Sequence, residues 1–162
     1  MKYHNIKPVY NKESKVLILG SFPSVKSREA EFFYHHPQNR FWKIFENLYD
    51  VRLDSIENKK LFLLEHNIAI WDVIESCEIQ GSSDSSIKKV KTNNILELIN
   101  NSNIKTIYTN GKKAEQLYKK YCEKDTRIKS ICLPSTSPAN AIYSLEKLIK
   151  EWRKIKDNIS QY

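Results

Sequence analysis

Glycine is nearly missing from this chain: three residues in 162. With so few, no G-x-G-x-x-G or Walker-type run exists, and the phosphate cradles such loops build for nucleotides are excluded. Cysteine is as scarce. Cys77, Cys122 and Cys132 are odd in number and show no C-x-x-C spacing, which predicts reduced thiols packed in or near the core. Three thiols cannot supply the four ligands of an iron–sulfur cluster, and no metal or cofactor is expected. Long hydrophobic runs are also absent. The longest are strand-sized, well short of the ~20 residues that cross a bilayer, so no membrane partner is expected. The N-terminus lacks the apolar core of a secretion signal, which makes a cytoplasmic location the expectation. Acidic residues are the minority, 19 against 27 Lys and Arg, giving a net charge of +8 and a pI near 9.3. That excess suits a polyanion held through phosphate contacts and counterion release. It equally suits a Lys-rich solvated surface, so charge alone does not choose. A length of 162 residues is one domain's worth, residues 1–162, and enough to bury a real core.

What is present alternates. The lead-in to Ser14 reads as irregular, with Tyr3, His4 and Tyr10 packing at a core edge. Strands are predicted over Lys15–Leu19, Ile68–Ile74, Lys105–Thr109 and Ile128–Leu133, from short apolar runs bounded by turn formers. Helical spacing predicts helices near Lys26–Phe32, Pro37–Tyr49, Ile56–Glu65, Asn93–Asn100, Lys112–Glu123 and Leu145–Ile159. Cys77–Ser86 reads as a polar loop. Lys88, Lys89 and Lys91 behind it read as phosphate ligands or, more ordinarily, as a solvated cluster. Strands alternating with helices predict a parallel sheet covered on both faces, a three-layer α/β/α sandwich with a four-stranded, mostly parallel central sheet.

Two stretches carry unusual chemistry. The first runs from Val16 to Trp42: a buried strand, then the loop GSFPS (Gly20, Ser21, Phe22, Pro23, Ser24), then YHHPQNRFW. Pro37 suits the first turn of a helix with His36 as its cap. That register puts Asn39 in the first turn, near the carboxyl end of the preceding strand, where α/β sheets bind ligands. The second is LPSTSPANA, Leu133 to Ala141, at the end of the last strand. Asp72 is the only charge in IAIWDVI. It is either paired structurally or turned into a site.

GSFPS followed by YHHPQNRFW resembles the first signature of the uracil-DNA glycosylase superfamily, on its mismatch-specific and hypoxanthine-DNA glycosylase side. LPSTSPANA resembles that superfamily's second motif, a loop that enters the DNA minor groove. NGKKA, Asn110 to Ala114, is a weaker third match. The mismatch-specific branch carries its catalytic Asn at the place held here by Phe22, and the Asp of the uracil-specific branch is absent from the loop. The hypoxanthine-type branch uses the Asn that corresponds to Asn39.

The resemblance implies a monofunctional DNA glycosylase of base excision repair, acting without metal or cofactor on hypoxanthine or uracil. It implies a monomer on double-stranded DNA with a damaged base, single strands being a further candidate. Cleaving the glycosidic bond builds positive charge on the sugar and negative charge on the base. Asn39 would orient a water through its amide oxygen, without taking its proton. N–H groups of residues 20–24 would stabilise the leaving base. Tyr34, rather than Phe33, would stack on the flipped base, worth ~1–3 kcal/mol. His36 and Asp72 would line the same pocket. Ser135, Thr136 and Ser137 would meet phosphates, Pro138 and Ala139 would press into the gap, and Asn140 would touch the widowed base or cap the next helix. Each has an ordinary structural reading as well: Asn39 as a backbone partner, His36 as a cap, Tyr34 as core. A non-catalytic nucleic-acid-binding relative is the competing class, and it has no need of the Asn39 amide.

Overall fold

The computed structural model describes residues 1–4 and 6–161; Asn5, inside the lead-in, lies outside them. Its centre is a parallel sheet of β2 (Val16–Gly20), β3 (Ile68–Asp72), β6 (Thr106–Asn110) and β7 (Ser130–Leu133), in the order β3-β2-β6-β7. Side chains alternate across it as pleating requires. Val16, Ile18, Ile68, Ile70 and Tyr108 face one core, with helices α2 (Phe41–Tyr49), α3 (Ile56–Glu65) and α7 (Leu145–Ile159). Leu17, Leu19, Ala69 and Ile107 face the other, with α4 (Ile95–Asn100) and α5 (Lys112–Tyr121). The sheet is covered on both faces, which is why β2 and β3 read as nearly continuous apolar runs, while the edge strand β7 keeps Ile131 exposed. This is the three-layer arrangement expected.

The run IAIWDVI is not one strand. It leaves the parallel sheet after Asp72. The Val73 and Ile74 amides donate to the carbonyls of Gly20 and Ser21 at 2.9 and 3.1 Å. The chain then continues as β4 (Ile74–Glu78). With β1 (Lys2–Tyr3) and β5 (Lys88–Thr92), β4 forms a second, antiparallel sheet in the order β1-β4-β5. Cys77 and Glu78 therefore lie in a strand, and the lead-in is paired rather than irregular. Tyr3 is exposed, while Ile6 and Val9 are buried. Lys89 and Lys91 pair with Glu78 and Glu75 across the ladder at 3.2 and 3.7 Å. These pairs are exposed and hold little energy.

Three helix starts also differ. α1 spans Val25–Ala30, capped by the Ser24 hydroxyl, and α4 begins at Ile95, capped by Asn94. α2 begins at Phe41, four residues after Pro37, with Arg40 at its N-cap position. Residues 36–39 form a turn instead, in which the Asn39 amide donates to the His36 carbonyl at 2.9 Å. Behind α5, a short α6 (Glu123–Thr126) leads into β7.

Candidate active site

Both motif loops leave the carboxyl ends of parallel strands, β2 and β7, and meet at one edge of the sheet. Gly20 ends β2 because nothing larger fits. A Cβ there would stand 2.5 Å from Asp72 Oδ1 and 3.0 Å from the Tyr34 hydroxyl. The missing side chain is what lets a carboxyl and a phenol from distant parts of the chain approach the same floor.

The second loop is built as tightly. Gly111 turns the chain from β6 into α5 at φ +93°, and a Cβ on it would meet Ser135 Cβ at 3.0 Å. Within the loop the Ser137 amide donates to Ser135 Oγ (3.1 Å), the Ala139 amide to Ser137 Oγ (3.1 Å), and Asn140 Nδ2 to the Ser135 carbonyl (3.0 Å). Asn140 is thus bound to its own loop, and α7 is capped by Ser144 instead.

Arg40 joins the two loops. Its guanidinium donates to the carbonyls of Ser137 (2.8 Å), Asn140 (3.1 Å) and Tyr143, and its backbone amide to the carbonyl of Thr136 (3.1 Å). A planar fork reaching three carbonyls fixes the loop in a way a lysine could not. This explains the late start of α2: residue 40 is held by the second loop before the helix can begin.

A polar relay runs beside that clamp. Asn110 Nδ2 donates to Thr136 Oγ1 at 3.0 Å, and the Thr136 amide returns a bond to Asn110 Oδ1 at 3.0 Å. The Thr136 hydroxyl donates to Asn39 Oδ1 at 2.8 Å, and the Phe41 amide donates to the same oxygen at 3.0 Å. The Phe41 N–H can only donate, so the atom it meets is the amide oxygen. Both lone pairs of Asn39 Oδ1 are then engaged. The NH2 is the end left for other partners, which revises the water-orienting role expected of the oxygen.

Between the loops lies a cavity of about 300 Å³, at the small end for ligand sites. Residues 20–24, Tyr34, His36, Asn39, Asp72 and residues 135–139 all line it; of the site residues expected from sequence, only Asn140 does not. Three of them stand differently from expectation. Thr136 is fully buried, so it joins the loops instead of meeting phosphate. His36 caps no helix; its Nδ1 accepts from the Gln38 amide at 3.1 Å. Tyr34, in the left-handed region at φ 51°, stacks on Phe41 at 4.1 Å and 14°, so one ring face is occupied, and the residue lines the cavity.

Sequence reasoning missed Arg40, Asn110 and Asp84. Asn110 lay inside the third motif as a mere helix start. Asp84 sat in a serine-rich stretch that looked like plain loop, yet it lines the cavity and accepts from the Ser21 hydroxyl at 2.7 Å. A fourth, Ile142, is 81% exposed just beyond Pro138 and Ala139; an isoleucine so uncovered was the signal, invisible without the structure.

The electrostatics divide the cavity. Burial, and then the nearby Asp84 carboxylate, push the Asp72 carboxyl up to about 7. Burial and then the Asp72 charge push the Tyr34 phenol up, with the Asn110 amide acting in the opposite sense. Neither the Tyr34 hydroxyl nor Asp72 Oδ2 has a partner of hydrogen-bonding geometry. Asp84 is also raised, by burial, with the Ser21 hydroxyl opposing. Among the described residues, no three His, Cys, Asp or Glu side chains are gathered as a metal would need.

A parallel sheet covered on both faces, with two motif loops clamped over a cavity at its carboxyl edge, defines the class: the uracil-DNA-glycosylase-like α/β/α fold. The chain belongs to the Uracil DNA glycosylase superfamily, whose sequence pattern matches residues 7–158. It is similar to a hypoxanthine DNA glycosylase of Methanosarcina acetivorans, 32% identical over 156 residues, covering 91% of this chain and 93% of that one. A hypoxanthine DNA glycosylase of Methanosarcina barkeri is 32% identical over 117 residues, 70% and 74% of the two chains. The solution NMR structure of a candidate uracil DNA glycosylase from Methanosarcina acetivorans superposes with a TM-score of 0.82, at 29% identity, over 99% of both chains.

Proposed function

We propose that this chain is a monofunctional DNA glycosylase that hydrolyses the N-glycosidic bond of a deaminated base, with hypoxanthine its first substrate and uracil its second. The observation that carries this reading is the Asn110–Thr136–Asn39 relay. It delivers an amide, positioned from both motif loops, to the wall of a cavity of about 300 Å³. The curated relatives named above as hypoxanthine DNA glycosylases point to the same substrate.

Asn39 acts by position. With its oxygen held, its NH2 donates to the oxygen of the attacking water and keeps it at the anomeric carbon. It accepts no proton, so the reaction relies on a base that leaves readily, as hypoxanthine and uracil do. Amides of residues 20–24 supply donors to the departing base. The target nucleotide must first leave the stack. Pro138, Ala139 and Ile142 form an exposed apolar tip that presses into the vacated step, in the manner of minor-groove wedges. The +8 charge provides phosphate contacts on duplex DNA. The chain works as a single domain and a monomer in the cytoplasm, and no described helix is long and apolar enough to cross a membrane.

The test is incubation with duplexes carrying deoxyinosine, deoxyuridine or deoxyxanthosine, followed by alkali to break abasic sites. Cleavage of the deoxyinosine strand is expected first and most. Three intact strands would leave a DNA-binding relative without this activity.

A further inference from the structure

Phe22 is the one large apolar side chain of residues 20–24, and it lines the cavity. Two side chains from outside the cavity lining bear on it. The His4 ring meets it edge-on, at 5.4 Å and 69°. The Arg28 guanidinium lies 5.2 Å from its ring centroid. Arg28 also reaches backbone: its Nε donates to the Pro23 carbonyl at 3.2 Å and its Nη2 to the Gly81 carbonyl at 2.6 Å. His4 is fastened at three atoms. Its amide donates to the Glu75 carbonyl at 3.3 Å, and its Nδ1 accepts from the Ile6 amide at 3.2 Å. An N–H only donates, so the ring hydrogen of neutral His4 is on Nε2, which donates to the Ile74 carbonyl at 2.6 Å. The Ile74 amide in turn donates to the Ser21 carbonyl at 3.1 Å. The first motif loop is thus held at three consecutive residues, Ser21, Phe22 and Pro23.

Resting on the functional reading above, we infer that neutral His4 and Arg28 are positioning residues: through Phe22 and the Pro23 carbonyl they fix the loop whose amides serve the departing base. Preorganised donors act by standing where the charge will develop, and a misplacement of ~1 Å can cost ~10²-fold in rate. Phe22 is the loop's large anchor, so its hold sets that placement. The arrangement suits only a neutral imidazole. A proton added at Nδ1 faces the Ile6 N–H, donor against donor, and the contact is lost. Burial holds the His4 pKa below its ordinary 6.5; the Ile74 carbonyl and Glu75 on β4 oppose the shift, and Arg28 on α1 adds to it. Glu75 and Arg28 are the charges that bear on the ring. Acid therefore loosens the hold on Phe22 as pH falls through the lowered His4 value.

The experiment measures His4→Phe, His4→Ala and Arg28→Lys against the parent, as full chains, in single turnover on deoxyinosine duplexes with enzyme saturating. Melting temperature and duplex affinity are recorded beside the rates. Arg28→Lys keeps the charge and loses the fork. It should excise about 10-fold more slowly, short of the ~10² scale of a full misplacement. His4→Ala should slow excision by a similar factor. His4→Phe keeps a ring edge for Phe22 and should recover part of that loss. In all three the affinity for duplex should stay within about 2-fold. The pH profile separates positioning from packing. Phe has no proton to gain, so the parent's advantage over His4→Phe should be greatest near about pH 8 and shrink toward about pH 5. Asp72 and Asp84, whose carboxyls are also raised, are present in both proteins. Parental rates in the variants, losses that track melting temperature alone, or a parent-to-variant ratio flat in pH would overturn the inference while leaving the glycosylase reading intact. A parent that excises nothing overturns the functional reading instead, and the hold on Phe22 is then judged in the free protein. Phe22 ring resonances that move with His4 protonation in NMR titrations support it; resonances indifferent to His4 refute it.

Discussion

The two walls of the cleft are built on opposite terms. On the Asn39 wall, the polar groups of the relay are matched: the Thr136 hydroxyl and the Phe41 amide saturate the Asn39 oxygen, Asn110 holds Thr136, and Arg40 ties three carbonyls of the second loop. On the Asp72 wall, a carboxylate oxygen and a phenol are left without partners above a glycine floor. The paired wall holds geometry. The unpaired wall carries two desolvated polar atoms with no hydrogen-bond partner. The matched groups sit beyond β7 and at the start of α2, the unmatched ones at the end of β3 and in the loop before α2.

The largest expected effect breaks the unpaired wall. Asp72 is held near 7 in the fold, against an ordinary 3.8. A raised carboxyl favours the folded state only while protonated, so its contribution is complete below about pH 4 and is lost as pH rises through about 7. Asp72→Asn removes that loss. The variant should be more stable than the parent at pH 8, the gap narrowing toward equality near pH 4, in denaturant titrations. Asp84, one of the causes of that shift, remains in both proteins. Equal stability at both pH values would mean that Asp72 is paired and ionised.

Breaking the paired wall comes next. Asn39→Ala should lower single-turnover excision by ~10²-fold or more, the scale of losing a positioned catalytic group. It leaves the Phe41 amide and the Thr136 hydroxyl without their acceptor, so a stability loss of about 1 kcal/mol should accompany it. Excision at the parental rate would make Asn39 structural.

Arg40→Lys sharpens the comparison, since it keeps the charge and loses the fork. Stability should drop by about 1–2 kcal/mol, the worth of charge-assisted bonds to the loop carbonyls. Duplex binding should weaken with it. An unchanged melting temperature would mean the second loop holds itself.

The smallest effect lies outside both walls. Ile142→Ala should leave stability within about 0.5 kcal/mol, as for other exposed positions, while slowing base capture several-fold. Capture at the parental rate would remove Ile142 from the wedge.

Much of this was legible in the sequence, and unevenly so. The four parallel strands were: β2 and β3, buried on both faces, read as apolar runs, and the other two as short runs between turn formers. The cavity was too: residues 20–24 and 135–139 sit where the strand-to-loop order put them. The second sheet was not. IAIWDVI carries no mark of the point where the chain leaves one sheet for another, since that switch is made by hydrogen bonds to the Gly20 and Ser21 carbonyls. Arg40 was not legible either. Its partners are backbone carbonyls about 100 residues away, and carbonyls carry no residue identity. The start of α2 was misplaced for the same reason: Pro37 and His36 carry a local helix signal that a tertiary clamp overrides.

The most direct measurement follows the base itself. With enzyme in excess over a deoxyinosine duplex, the products are separated and free hypoxanthine is quantified beside the intact strand. One hypoxanthine should appear per lesion, with the strand unbroken until alkali is added. A duplex that keeps its hypoxanthine while bound to the protein, or a strand that breaks without alkali, would contradict hydrolysis by a water held at Asn39.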